Sequence, residues 1–227
     1  MAMTLTQMRT EVRGNLKRTS SALADSKITT WINWGQQLLG DLHTYEEMKK
    51  NYTGATVDGQ LRYGFPTRMK DIVSMTLQSA ASSRKLTYVK AREFDSKIAR
   101  PEQTSEGKSN YYVDYGVNFE LYRIPDAVYV LRLRCSIFPE DLSADSDESD
   151  LLRKDALICS TATMLGFLSL KEVDDANYWK SEVIPTFFDA SLRGDHSGED
   201  WTPIARGFNS VATPLGETTS NPLIYGN

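Results

Sequence analysis

At 227 residues the chain is long enough for one domain with an insertion, or two small ones, and for a hydrophobic core that needs no covalent staples. Its residues are 40% hydrophobic and 25% charged, as in ordinary globular proteins, and 26 basic against 30 acidic side chains leave a net charge of -4, which gives no general attraction to nucleic acid or anionic membrane. Two cysteines, Cys135 and Cys159, are too few for a secreted disulfide scaffold or a structural zinc site.

The cysteines read as small apolar side chains in a strand and a buried helix, the alternative being a disulfide between them. No run approaches the ~20 apolar residues of a spanning helix, and the N-terminal stretch has no apolar segment of signal-peptide length, so no membrane contact is expected.

Thr4 followed by Gln7 has the spacing of a capping box, and Leu5, Met8, Val12 and Leu16 recur at helical intervals, predicting a first helix over 4–18. Asp25 or Ser26 caps a second helix. Its apolar stripe, Ile28, Trp31, Ile32, Gly35, Leu38, Leu39 and Leu42, carries it toward Lys50. Asn33, Gln36 and Gln37 give that helix a polar, uncharged second face, suited to packing against something other than bulk water.

From Asn51 the helical period stops. Asp58-Gly59 is a hairpin turn signal and Phe65-Pro66 a break. Strands are predicted over 72–77, 86–94, 111–115, 117–122 and 127–138, with a loop over 99–110 and a turn at Pro125-Asp126. In the last strand Tyr129, Leu131, Leu133 and Cys135 alternate with Arg132 and Arg134, which predicts one packed and one wet face. The arginine pair reads as a solvated or ion-paired face, with a phosphate contact as the alternative.

Pro139 closes the strand region. The acidic stretch 141–150, with Asp141, Asp145, Asp147, Glu148 and Asp150, lacks the sixth-position glycine and closing glutamate of a calcium loop. It reads instead as the approach to a helix, with Ser149 and Asp150 at its cap and first turn. That third helix, 151–170, is apolar on nearly all sides after Ala156 and is expected to be the most buried. A fourth, 171–189, carries Val173, Ala176, Trp179, Val183 and Phe187 as its stripe, and Pro185 predicts a kink or an early end. The helices are expected to pack through Trp31, Ile32, Leu38, Leu165, Trp179 and Val183.

Beyond Gly194 the sequence turns to Gly, Ser, Thr, Asn and Pro, with spaced apolar residues Trp201, Ile204, Phe208, Leu215 and Tyr225. Such a tail cannot offset the ~1–2 kcal/mol per residue of backbone ordering by folding on itself. It reads as an extended arm that seats these five candidate partner-docking side chains in separate pockets of a neighbouring surface.

The chain shows no HExxH, GxSxG, P-loop or dinucleotide glycine motif. His43 falls at a helix end and His196 in the tail. Gly194-Asp195-His196-Ser197-Gly198 lacks the strand–turn–helix setting of an activated nucleophile. No catalytic, cofactor-binding or metal-binding residue is assigned. The basic stripe Arg9, Arg13, Lys17, Arg18 is a solvated or subunit-facing surface before it is a nucleic-acid helix, and Tyr111-Tyr112 suits sheet packing before base stacking. The sequence therefore describes an α+β protein without enzymatic activity. Its bundle of about four helices, from 1–50 and 140–193, holds an inserted antiparallel β-sheet domain, 51–139, and ends in an extended docking arm, 194–227.

This order of parts resembles the head–tail adaptor, or connector, proteins of tailed bacteriophages over residues 4–190. The resemblance rests on the helix from Leu5 to Leu16, on Ile28-x-x-Trp31-Ile32-Asn33, and on Phe65-Pro66 at the opening of the insertion. It continues in Tyr122-Arg123-Ile124-Pro125-Asp126, in Val128, Val130 and Leu133, in Phe138-Pro139-x-Asp141-Leu142, and in Ala176-x-x-Trp179. It implies a homo-oligomeric ring, usually of twelve copies, beneath the portal protein in the phage neck, assembled in the host cytoplasm. Such a ring extends the channel through which DNA passes without sequence-specific binding, and offers tail or nozzle proteins a docking surface. It implies no cofactor and no catalytic residue. The competing readings are a tail terminator or another neck or minor virion protein, and a nucleic-acid-associated accessory protein.

Overall fold

Helix α1, Leu5–Asn15, starts where the sequence places it, because the capping box forms: the Thr4 hydroxyl accepts the Gln7 N–H and the Gln7 side chain accepts the Thr4 N–H at 3.0 Å. A computed structural model describes residues 2–19, 22–79, 82–97 and 106–194, so the arm residues Trp201, Ile204, Phe208, Leu215 and Tyr225, and His196, lie outside the described residues. Helix α2, Asp25–Leu42, ends eight residues short of Lys50. Its end is fixed from the sheet: Lys70 Nζ donates to the Gly40 carbonyl at 2.6 Å and to Thr44 Oγ1 at 3.1 Å, capping the helix. Tyr45 and Met48 are then drawn into the core, and the chain continues as strand.

Helix α4, Asp155–Ser169, lies antiparallel beneath α2. A Cβ on Gly35 would sit 3.3 Å from the Ile158 carbonyl oxygen, and one on Gly166 would sit 3.2 Å from the Trp31 ring. As expected, α4 is buried on almost all sides. Its interior hydroxyls, Ser160, Thr161 and Thr163, each donate to the carbonyl four residues back, which satisfies them without a partner helix. The helix begins at Asp155, not 151. Arg153, at φ 60°, breaks the backbone just before it, and Ser149 Oγ takes the Leu151 N–H instead of capping the helix.

The last helical rod departs most from its predicted stripe. Helix α5, Val173–Tyr178, passes through a π turn, Trp179–Val183, into α6, Ile184–Gly194, so Pro185 neither ends the rod nor stops it early. Proline has no N–H for the carbonyl four residues back and its ring crowds that carbonyl; the widened turn lies directly before it. The extra residue rotates the following face by one position. Ala176 and Trp179 pack inward as predicted, but Ile184 and Phe188 replace Val183 and Phe187, and Phe187 is exposed.

The insertion carries strands β1 Lys49–Ala55, β2 Arg62–Gly64, β3 Met69–Gln78, β4 Ser83–Lys85, β5 Thr87–Val89, β6 Tyr111–Asp114, β7 Asn118–Tyr122 and β8 Val130–Ile137, with a short helix α3, Ala91–Lys97. They form two four-stranded sheets, β1-β8-β3-β4 and β2-β7-β6-β5. Pairing is antiparallel except between β5 and β6, which run parallel. Met75, Leu77 and Leu133 from one sheet meet Tyr112, Phe119 and Leu121 from the other in a core separate from the helical one. The predicted strand 86–94 is a buried link at Leu86, then β5, then α3, whose Phe94 packs edge-on to Tyr122 at 5.7 Å. Asp58-Gly59 does turn, with Gly59 at φ 73° donating to the Pro125 carbonyl at 2.9 Å. The strands it joins belong to different sheets, so it is a crossing between layers and not a hairpin. Cys135 lies in the sheet core and Cys159 in the helical core, both as free thiols, so no disulfide joins them.

Candidate assembly surfaces

The polar face of α2 is occupied within the chain. Asn33 brackets Leu142, accepting its N–H at 2.9 Å and donating to its carbonyl at 3.0 Å. Gln36 donates to the Glu140 carbonyl at 2.6 Å and accepts from Ser149 Oγ at 3.1 Å, and Gln37 donates to Asp141 at 2.6 Å. These amides pin the 140–149 connection to the bundle.

Several charges of the acidic connection are engaged locally. Asp147 accepts the N–H groups of Ser143 and Ala144 at 2.8 and 2.7 Å, and these bonds hold its carboxyl below the usual aspartate range. Asp145 pairs with Arg9, while Glu140 and Asp150 flank Arg68 at 3.3 and 3.7 Å. Among the described residues no group of three or more His, Cys, Asp or Glu side chains is placed to hold a metal ion. Three of the four residues in the basic stripe of the first helix are likewise paired: Arg9 with Asp145, Arg13 with Asp25, and Arg18 with Glu172. Tyr112 is buried in the sheet core and Tyr111 stacks on Tyr122, consistent with packing roles.

The perturbed acids do not form a reactive group. Burial raises the Asp155 carboxyl above its ordinary range, and burial pushes the Cys159 thiol up to about 12, with Glu11 and Asp155 nearby adding to it. A thiol so raised is a packed apolar group at neutral pH, not a nucleophile.

Two of the surfaces that are open among the described residues bear on assembly. On the outer face of the first sheet, Arg132 lies between Thr53 and Thr76, and Arg134 between Asn51 and Ser74. Both arginines are exposed and neither makes an ion pair with another described residue, so this face is solvated, not ion-paired. On α2, Trp34, Leu38 and Leu42 are 57%, 37% and 64% exposed. They stand four residues apart and share one flank of the helix. Leu38 was expected in the core. The buried stripe needs only the arc from Ile28 through Ile32 to Leu39, and that leaves Leu38 and Leu42 on its edge. Trp34 was not singled out by the sequence reading. The signal was present, since apolar residues on α2 cover a wider arc than one buried face requires.

The described α+β subunit shows an apolar row on its helical layer and an arginine-bearing face on its sheet layer. The family model described as SU10 adaptor protein matches residues 3–187, and the chain belongs to that family of phage head–tail adaptor, or connector, proteins. Its role is structural and not enzymatic. No curated protein matches the chain. No helix among the described residues is long and apolar enough to cross a membrane.

Proposed function

We propose that the protein is the subunit of a homo-oligomeric ring of twelve copies that sits beneath the portal protein in the virion neck. The ring is assembled in the host cytoplasm, extends the DNA channel, and presents its far side to tail or nozzle proteins. The observation that carries this reading is the α2 row Trp34, Leu38, Leu42, three large apolar side chains left open beside a well-packed core. A ring needs unlike surfaces that meet head to tail, and the row and the arginine face lie on different layers of the subunit. The net charge of -4 suits a channel along which DNA slides without sequence-specific binding.

In this reading residues 1–50 and 140–193 form the ring's packed body and 51–139 an inserted module. Residues 194–227 are an arm that docks Trp201, Ile204, Phe208, Leu215 and Tyr225 on neighbouring subunits or the portal. Size-exclusion chromatography with light scattering tests it, on the full chain alone and with purified portal rings. Co-elution at the mass of a portal plus about twelve copies supports the proposal. A chain that elutes apart from the portal at every concentration overturns it.

A further inference from the structure

The chain itself carries an occupant for the α2 row. We propose that the segment 195–208 of a neighbouring copy lies along Trp34, Leu38 and Leu42, entering from the N-terminal end of α2 and placing Ile204 and Phe208 over the row. The inference rests on the ring reading above.

Length fits first. Trp34 and Leu42 are eight helical residues apart, ~12 Å along the axis. Ile204 and Phe208 are four residues apart, ~13 Å in an extended chain. With Ile204 at Trp34, the same extension sets Trp201 ~10 Å further back, level with exposed Lys27, which is seven helical residues before Trp34 on the same flank. One extended strand of the arm thus keeps step with the exposed flank of α2.

Charge sets the direction. The residues leading to the first anchor include Asp195, Glu199 and Asp200. The N-terminal end of α2 offers the positive helix pole and the exposed Lys27 ammonium, which lies 5.8 Å over the Trp31 ring, while the Asp25 carboxylate of the first turn is already paired with Arg13. The last turn of α2 holds Asp41 and no basic residue of its own, and the Lys70 ammonium at that end is taken up by the helix's own carbonyls. An acidic lead followed by apolar anchors therefore matches α2 when both run in the same direction.

The exit point identifies the donor. Helix α6 ends near the opposite end of its own α2, where the Tyr45 hydroxyl lies 3.4 Å from Ser191 Oγ. The 18 residues of α2 span ~27 Å, while the seven residues from Gly194 to Trp201 reach at most ~25 Å. To seat in this direction on its own helix, the arm would have to stretch its acidic lead along the apolar row. A second copy, whose Gly194 approaches the other end of α2, does so without that conflict. The interface is head to tail, arm into row, and so propagates around a ring.

Site-specific photocrosslinking tests this on the full-length protein, with Phe208 replaced by p-benzoylphenylalanine, in the presence and absence of portal rings. The expected product is a two-chain species joined to the peptide bearing Trp34 to Leu42. Leu38→Asp in the same chain should cut that product by about tenfold, as loss of a central apolar contact does, without moving the melting temperature. A product confined to one chain, a product to the portal or to the sheet, or no two-chain product at any concentration overturns the proposal. If rings attach to the portal while the crosslink falls elsewhere, the seat is wrong and the adaptor reading stands. If the α2 crosslink forms but no portal is bound, the seat stands and the adaptor reading fails.

Discussion

Gly35 sets the distance between α2 and α4. The position its Cβ would take is 3.3 and 3.4 Å from backbone atoms of Ile158 and Ala162, which cannot swing aside as a side chain can. Gly35→Val should therefore destabilise the fold by about 1–3 kcal/mol through overpacking, seen as a lower urea midpoint. An unchanged midpoint would mean the helices stand further apart. Asp155 is a second single-residue test. Burial raises its carboxyl, so the folded state holds a proton more tightly than the unfolded chain does. Stability contributed by this group then falls as pH rises from the unfolded value through the raised folded one, and the loss persists above it. Asp155→Asn should melt higher than the native chain at pH 7, and the gap should close below pH ~4. A lower melting temperature for the variant at pH 7 would contradict this. At this scale the sequence was often readable. The Thr4 capping box, the burial of Trp31 and Ile32 and the alternation of Leu131, Leu133 and Cys135 against Arg132 and Arg134 each follow from local spacing. The partners of Asn33 and Gln36 were not readable, because those amides bond a connection more than a hundred residues away.

Among the elements, the α5–α6 rod separates what periodicity can and cannot say. A stripe counted at 3.6 residues per turn leads from Ala176 and Trp179 to Val183 and Phe187. The π turn before Pro185 adds one residue, and the packed face becomes Ile184 and Phe188. Phe188→Ala should cost about 2 kcal/mol by thermal or urea unfolding, and Phe187→Ala less than about 0.5 kcal/mol. The reverse order would restore an unbroken α-helix. The end of α2 is a similar case. No Gly or Pro follows directly on its end at Leu42; the cap there comes from Lys70, far along the chain on β3. Lys70→Met should remove that cap and lower stability by about 1 kcal/mol, with Arg68 and its carboxylate partners left in place. The split of the insertion into two sheets was hidden for the same reason. Alternation marks which face of a strand is packed, but not which of two layers the strand joins, and Asp58-Gly59 serves a crossing as well as a hairpin.

Across the whole molecule, two cores are joined by the connection that Asn33 and Gln36 hold and by the bond from Lys70 to the end of α2. The open surface includes an apolar row on α2 and an arginine-bearing face on the outer side of the first sheet, and the family match covers 3–187. The row was half visible in the sequence. Leu38 is expected in the core and Leu42 on the same apolar stripe, and only packing reveals that their flank of α2 stays uncovered among the described residues. Removing residues 200–227 should leave the melting temperature unchanged and weaken attachment to the portal, if the arm serves docking and not the fold. The most direct measurement of the adaptor assignment is electron microscopy of the full-length protein mixed with purified portal rings. The account predicts a second ring of twelve copies stacked coaxially on one face of the portal, lengthening its channel. Portal particles with no added density, alongside a protein that remains monomeric at saturating concentration, would contradict it.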